Sequence, residues 1–283
     1  MNKIRKNQKS AFSLLEISIV LTILAVIFGM ILALGYAIDE AKLAMARKKT
    51  TNSSVHFTKN LVLWLDTTNQ DAFDENEAID EKTISEFKDI NPQLPFKKNA
   101  VQNTQTNRPT YVRKAINGLP ALEFDGSNDF MILPFIINPG ITDFTAFIVA
   151  KFNDGNSNRD ILQQTDISGT GRLMFFMDGS DNFGSNIGNV DLDSLDNDFK
   201  AKAYAVKLKD DALFIYSNNN LLNSALGVEA EYSQGIFYLG CNKNYNGGWM
   251  DGFIGEVIIF NRALKTSEQT SIEEYLMDKW NIN

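Results

Sequence analysis

The sequence predicts a long N-terminal α-helix followed by an all-β antiparallel sandwich that ends in a second helix. Three observations carry this. An apolar run extends from Phe12 to Ile38. From about Asn60 the periodicity changes to short apolar stretches punctuated by turn residues, with no helical pattern between them. Near the C-terminus, Ile272, Tyr275, Leu276 and Trp280 return to helical spacing. Many short strands without intervening helices indicate an antiparallel sandwich rather than alternating α/β units. The predicted organisation is a leader at 1–11, a stem helix at 12–58 and a head at 60–283.

The leader carries Lys3, Arg5, Lys6 and Lys9 and no acid. Such a basic flank stays cytoplasmic, so the chain after the helix faces outward. A conventional secretory signal fits poorly, because its apolar stretch is about 7–15 residues and cleavage follows it. About 20 residues cross the hydrocarbon at a rise of about 1.5 Å each, so Ile17–Ile38 suffices. Glu16 interrupts this run near its start. A carboxylate at mid-bilayer costs about 2.5–3.5 kcal/mol on insertion scales, so a role is expected for it. The run then continues amphipathically through Leu34, Ile38, Ala41 and Met45, with Lys42, Arg47, Lys48 and Lys49 on other faces. Thr50-Thr51-Asn52-Ser53-Ser54 has weak helix propensity and is expected to end or loosen the helix.

Basic leader, small Ala11, aromatic Phe12 and Glu16 at the fifth position counted from Phe12 together resemble the N-terminus of a type IV prepilin or pseudopilin. The resemblance implies cleavage between Ala11 and Phe12 by a prepilin peptidase and N-methylation of Phe12. It also implies assembly with other pilin or pseudopilin subunits. Glu16 then meets the charged amine of a neighbour, or its own, which removes two uncompensated charges from a low-dielectric core. Before assembly the chain is expected in the inner membrane as a single pass with its N-terminus cytoplasmic. Afterwards it is expected in a pilus, on the periplasmic or extracellular side. Two residues depart from the family pattern: Ala11 replaces the usual Gly before the cut, and Ala33 stands where many major pilins carry a kinking Pro. The alternative is a plain membrane anchor with Glu16 at the interface.

The chain has 283 residues, enough for the stem and one head of roughly 220 residues. Net charge is −8, and subtracting the leader's four positive residues gives −12. An acidic head is a poor nucleic-acid binder, which needs clustered basic residues. Cys241 is the single cysteine, so no intramolecular disulfide forms and the head relies on its core, to which twenty Phe and eight Tyr are available.

In the head, Leu61–Leu65, Ala121–Phe124, Phe144–Phe152, Arg172–Met177, Tyr204–Leu208, Leu213–Tyr216, Ile236–Leu239 and Phe253–Phe260 read as strands. Asn117-Gly118, Asp125-Gly126, Asp210-Asp211, Asn218-Asn219-Asn220 and Asn246-Gly247-Gly248 read as turns. Thr266 is the predicted N-cap of the last helix, with Gln269 three residues on. Three pieces are more specific: Leu63–Asp66, Gly118–Ser127, and Gly252–Leu264 running into the helix that ends Tyr275–Trp280. In that order they resemble the laminin-G-like, concanavalin A-type jelly roll, over about Asn60 to Asn283. The resemblance implies a jelly-roll sandwich, a fold that hosts lectins, interaction modules and glucanases.

The chemistry sought in this head is mostly missing. There is no Glu-x-Asp-x-Glu run of the kind that supplies paired carboxylates for glycoside cleavage, no Gly-x-Ser-x-Gly elbow and no Walker A. Glu256 is read as a structural acid at a strand edge, and His56, the only histidine, as a solvated stem residue. The chain is therefore expected not to be an enzyme. No cofactor is expected. Calcium enters only through Asp154-x-Asn156-x-Asn158-x-Asp160, which has the alternating oxygens of an EF-hand start but Arg159 where glycine is needed. The aspartates of Asp125–Asp129 and Asp178–Asp181 read first as turn residues. A glycan contact is expected in the loop Asn242–Trp249, at Asn244, Tyr245 and Trp249, because sugars need a flat aromatic face and amides. The competing reading has Trp249 folded back onto the sandwich. The expected function is a pilin-like minor or tip subunit displaying a head for adhesion to a glycan or surface protein. The alternatives are a membrane-tethered carbohydrate-binding protein that does not polymerise and, less favoured, a stalked glycoside hydrolase.

Overall fold

The computed structural model describes residues 13–134, 143–153, 158–165, 172–196, 199–229, 235–242 and 247–283. Helix α1 (Leu14–Thr51) is unbroken and spans about 57 Å at 1.5 Å per residue, well beyond a hydrocarbon core of about 30 Å. It ends inside the Thr/Asn/Ser stretch expected to stop it, and a single 3₁₀ turn (Ser54–His56) follows. Every residue from Ser13 to Ile38 is exposed. The helix is long and apolar enough to cross a membrane. The chain divides into two compact units, Met1–Lys42 and Leu43–Asn283, so the last turns of α1 belong to the head.

The strands are, in chain order, β1 (Leu61–Asp66), β2 (Lys82–Thr83), β3 (Glu86–Phe87), β4 (Ala100–Val101), β5 (Thr110–Ile116) and β6 (Leu119–Asp125). Then come β7 (Met131–Leu133), β8 (Phe144–Phe152), β9 (Arg159–Thr165), β10 (Arg172–Met177), β11 (Asn182–Ile187) and β12 (Val190–Leu195). The last are β13 (Lys202–Lys209), β14 (Ala212–Ser217), β15 (Asn220–Leu226), β16 (Phe237–Leu239) and β17 (Asp251–Phe260), before helix α2 (Thr266–Trp280). One sheet has nine strands in the order β15-β14-β13-β8-β17-β6-β5-β2, with β1 also on β17; the other has eight, in the order β12-β11-β10-β9-β16-β7-β4-β3. All pairings are antiparallel and neither sheet closes. The chain is thus a long helix, an antiparallel sandwich and a terminal helix, as predicted. The three sequence pieces singled out above also meet, since β17 carries β8 on one edge and both β6 and β1 on the other.

The hairpins follow from their turn residues. Asn117-Gly118, Asp210-Asp211 and Asn218-Asn219 all take positive φ at both positions, the twist that suits two-residue hairpin loops. The main core lies between the sheets: Leu63, Phe124, Phe144, Ile148, Phe175, Phe183, Phe237 and Ile259 are buried there. Alternate residues of the nine-stranded sheet, among them Trp64, Phe147, Val149, Ile258 and Phe260, point outward to a second cluster formed with Ile272, Leu276 and Trp280 of α2 and Ala46 of α1. Gly255 permits this: a Cβ there would lie 2.6 Å from the Trp280 ring.

Four expectations are corrected. The N-cap of α2 is Lys265, whose backbone N–H donates to the Glu268 carboxylate at 2.9 Å, and Gln269 is buried instead, accepting from Lys207 Nζ at 2.7 Å. Arg262 also holds Glu268 through two 2.8 Å bonds, so an ion pair fixes the helix start in place of a Thr cap. Glu256 is not at an edge; it lies on the central strand β17 and is 1% exposed. His56 is half-buried, edge-on to Trp64 at 4.8 Å, because the chain turns onto the head before residue 56. Strands β5, β9, β11, β12 and β15 were not foreseen because their polar residues hide the apolar alternation, nor were β2, β3, β4 and β7, which at two or three residues are too short to show a period.

Candidate functional sites

At the start of the stem, Ser13 and Glu16 form a reciprocal cap. The Ser13 backbone N–H donates to Glu16 Oε2 at 2.8 Å, and the Glu16 N–H donates to Ser13 Oγ at 3.2 Å. This Ser-x-x-Glu box satisfies two orphan donors of the first turn and contributes about 0.5–2 kcal/mol to helix stability. Glu16 is exposed, with apolar Ile17, Ile19, Val20 and Leu21 beside it. Ala11 and Phe12 lie outside the described residues.

At the other end of α1, a buried polar network joins the last helical turn to the head. Thr50 Oγ1 donates to Asp66 Oδ2 at 2.9 Å, and Thr68 donates to Asp66 Oδ1 through both its N–H and its hydroxyl. Lys279 Nζ lies 2.8 Å from Asp66 Oδ2 and 2.7 Å from Glu256 Oε2, with all three side chains fully buried. Glu256 further accepts from Trp64 Nε1 (2.8 Å), Trp280 Nε1 (2.8 Å) and the Tyr275 hydroxyl (2.7 Å). Burial pushes the Glu256 carboxyl up, while the adjacent Lys279 pulls it down. The Tyr275 phenol is pushed well above its ordinary value, by burial first and then by Glu256, so it remains a donor. Arg47 Nε on Thr68 O (2.8 Å) and Lys49 with Asp278 (2.9 Å) add to this junction at the surface. Sequence reading missed the network, since Thr50, Asp66, Glu256 and Lys279 are local nowhere in the chain.

The expected glycan loop sits by the eight-stranded sheet. The Asn242 N–H bonds Gly247 O at 3.3 Å, which closes the loop, and the Asp160 N–H bonds Gly248 O at 2.8 Å, which anchors it to β9. Gly248 has φ of 60°, and a Cβ there would collide with the Asp160 carboxylate. Trp249 is partly buried against Phe130, with ring centroids 6.2 Å apart, in a small cluster with Tyr238, Ile132 and buried Cys241. One face of the indole is thus used by the sandwich. Asn244 and Tyr245 lie outside the described residues.

Of the calcium-like run, Asp154 and Asn156 lie outside the described residues. Asn158 Oδ1 already accepts the Gly179 N–H at 2.9 Å, and Asp160 is buried on β9. Among the described residues no group of three His, Cys, Asp or Glu side chains is placed to hold a metal. Asp125 accepts the Ser127 and Asn128 N–H groups, and Asp178 those of Ser180 and Asn182, as turn chemistry requires. Beside the first turn, burial and then the Asp125 carboxylate push Asp129 up to about 7.

No protein-family model matches the sequence, and no curated protein matches it. The fold does have solved counterparts. Trypanosoma rangeli sialidase, in complex with 2,3-difluoro-KDN, matches at 16% identity with a TM-score of 0.54, over 78% of this chain and 33% of that one. The same enzyme in complex with sialic acid matches at 15% identity and a TM-score of 0.52, with the same coverage. The Ruminococcus gnavus IT-sialidase CBM40 bound to α2,3-sialyllactose matches at 11% identity and a TM-score of 0.44, over 54% of this chain and 95% of that one. The chain thus spans one third of the length of the T. rangeli sialidase chains, and at these identities the likeness establishes the fold alone. It nonetheless corrects the expectation of a non-enzyme: the structures that share this sandwich belong to sialidases, so the missing Glu-x-Asp-x-Glu run does not exclude catalysis.

Proposed function

We propose that this chain is a pilin-like subunit, minor or tip, of a type IV pilus or secretion pseudopilus, displaying a jelly-roll head that binds a glycan. The observation that carries the reading is the stem. Every residue from Ser13 to Ile38 is exposed, and that surface is mostly apolar, with Glu16 as its single charged side chain. Such a surface needs a cover, first the bilayer and then the stems of neighbouring subunits. The bulk of the head suits a minor or tip position better than a densely packed major one.

A specific observation favours the rival, a tether that never polymerises. The Ser13 cap gives Glu16 a partner within its own chain, so no neighbour's amine is required. Two measurements on native membranes and sheared fibres separate the readings. Intact mass should show loss of residues 1–11 plus one methyl group, and Glu16→Ala should insert in the membrane yet be absent from fibres. Absence of the wild-type chain from sheared fibres would leave the tether standing, whereas recovery of Glu16→Ala in fibres at wild-type level would show that the Glu16 pairing is dispensable. Incubation of the same samples with sialyllactose, followed by chromatography, reads any sialidase-type cleavage.

A further inference from the structure

We infer that the buried network is a self-modification site: Lys279 Nζ condenses with the Asp66 carboxyl to form an amide cross-link, with Glu256 as the acid–base group. The fold gathers these residues from distant parts of the chain. Asp66 ends β1 and Glu256 stands directly opposite it on β17, so both carboxylates point to the same outer face. Lys279 and Tyr275, four residues apart on α2, project together onto that face. The ammonium lies 2.8 Å from Asp66 Oδ2 and 2.7 Å from Glu256 Oε2, with all three side chains fully buried. An ion pair alone accounts poorly for this arrangement. One cation serves two carboxylates, and like charges directly opposite on neighbouring strands are destabilising. Each buried ion also carries a desolvation cost. Condensation removes one positive and one negative charge from the interior. An amine fixed against a carboxyl also reacts at an effective concentration far above that of any free amine.

The hydrogen bonds mark which Asp66 oxygen stays and which leaves. Oδ1 accepts the Thr68 N–H at 2.9 Å and the Thr68 hydroxyl at 2.8 Å. Two donors on one oxygen stabilise the charge it gains when an amine adds to the carboxyl carbon. Oδ2 instead accepts from Thr50 Oγ1 at 2.9 Å. Thr50 Oγ1 is 3.2 Å from the Tyr275 hydroxyl, which donates to Glu256 Oε1 at 2.7 Å. A continuous row of exchangeable protons thus joins Glu256 to the leaving oxygen. Glu256 is the poorer acyl group of the two. Its Oε2 is held by the Trp280 indole N–H at 2.8 Å, which donates a hydrogen bond but gives up no proton.

The reaction balances without any co-reactant. Two protons of the Lys279 ammonium travel in turn through Glu256, Tyr275 and Thr50 to Oδ2. The first makes Asp66 a neutral carboxylic acid, and the freed amine attacks its Cγ to form the C–N bond. The second lets the Cγ–Oδ2 bond break, and Oδ2 leaves as water. The amide keeps one N–H, and Glu256 ends in the protonation state in which it began. Burial pushes the Glu256 carboxyl up, which suits a group that holds a proton in transit. The same burial keeps out the bulk water that hydrolysis of the amide would need. In a head whose single cysteine allows no internal disulfide, the bond would tie the first strand to the last helix.

The test is mass spectrometry of the full chain, purified in detergent, then denatured and digested with trypsin. Segment 60–82, which holds Asp66, should be joined to segment 266–283, left uncut after Lys279, at their summed mass less one water. Glu256→Gln should leave the two segments separate, a loss that a purely structural acid would not cause. Thr68→Val keeps all three charges and removes one donor to Oδ1, so in pulse-labelled cells it should link about 100-fold more slowly. It keeps the test decisive if Glu256→Gln does not fold. Separate segments from the folded wild-type chain would overturn the inference. So would a link from 266–283 to 244–262, the segment that holds Glu256, or linking at wild-type yield in Glu256→Gln.

Discussion

The two outer faces of the sandwich are built on different terms. The nine-stranded face is covered by α2 and the last turns of α1, with Trp64, Phe147, Ile258, Ile272, Leu276 and Trp280 packed between. It also buries charge: Asp66, Glu256 and Lys279 in one network, and Lys207, Gln269 and Glu273 in another group. Among the described residues the eight-stranded face carries no α-helix, only the small cluster around Phe130, Tyr238 and Cys241 with Trp249 at its margin. Both faces enclose the same inner core, so that core accounts for the sandwich and the covered face accounts for the packing of α2 and the last turns of α1. The bare face is under neither demand.

The largest effect expected from this contrast is at Lys279. Lys279→Ala leaves Asp66 and Glu256 buried side by side without their cation, and losing one partner of a buried pair costs about 3–5 kcal/mol. Against a total of about 5–15 kcal/mol, that should abolish or sharply lower the cooperative thermal transition of the head. A loss below about 1 kcal/mol would mean that water reaches the network and that the covered face is not dry.

A middle-sized effect separates the faces by pH. Burial pushes Glu273, on the covered face, up to about 7, against an opposing hydrogen bond from Gln269 and the charge of Lys207. Its ordinary value is 4.5, so between pH 4.5 and 7 the folded chain keeps a proton that the unfolded chain releases. The stability this proton confers is complete below pH 4.5, falls as pH rises to 7 and is gone above it. The span amounts to about 3–4 kcal/mol. Glu273→Gln should flatten that slope and raise stability at pH 8, measured by denaturant unfolding across pH. Asp129 is raised in the same direction, so a residual slope should remain until Asp129→Asn is added.

The smallest effect belongs to the bare face. Trp249→Ala should cost about 1 kcal/mol, because the ring is only partly buried, whereas Trp64→Ala or Trp280→Ala should cost about 3–5 kcal/mol. Equal losses at Trp249 and Trp280 in calorimetry would erase the distinction between the faces.

The same contrast explains what was legible in the chain. Strands whose two faces are both apolar, such as β8 and β17, announce themselves as continuous runs, and their bounds were read within two residues. Strand β9 was invisible because it spends polar residues inside: Arg159 packs over the Phe152 ring at 5.2 Å and pairs with Asp181, and Gln164 donates to Gly235 O. Strand β15 lies at a sheet edge with mostly exposed side chains, so no alternation survives. The stem was legible from hydropathy alone, but its Ser13 cap was passed over although the Ser-x-x-Glu pattern is present. The head's true start was hidden for a different reason. Ala46 and Thr50 continue the helical pattern without a break, and only the fold reveals that both are buried against β-structure.

Cys241 has a practical consequence. Its thiol is fully buried beside Phe130 and Tyr238, and burial pushes its pKa up, so the reactive thiolate is scarce and shielded. Being the chain's single cysteine, it leaves the folded protein spectroscopically blank toward maleimides and spin labels. A probe thiol introduced at Leu226 or Phe96, both strongly exposed, will therefore report from one known position with the native residue left in place.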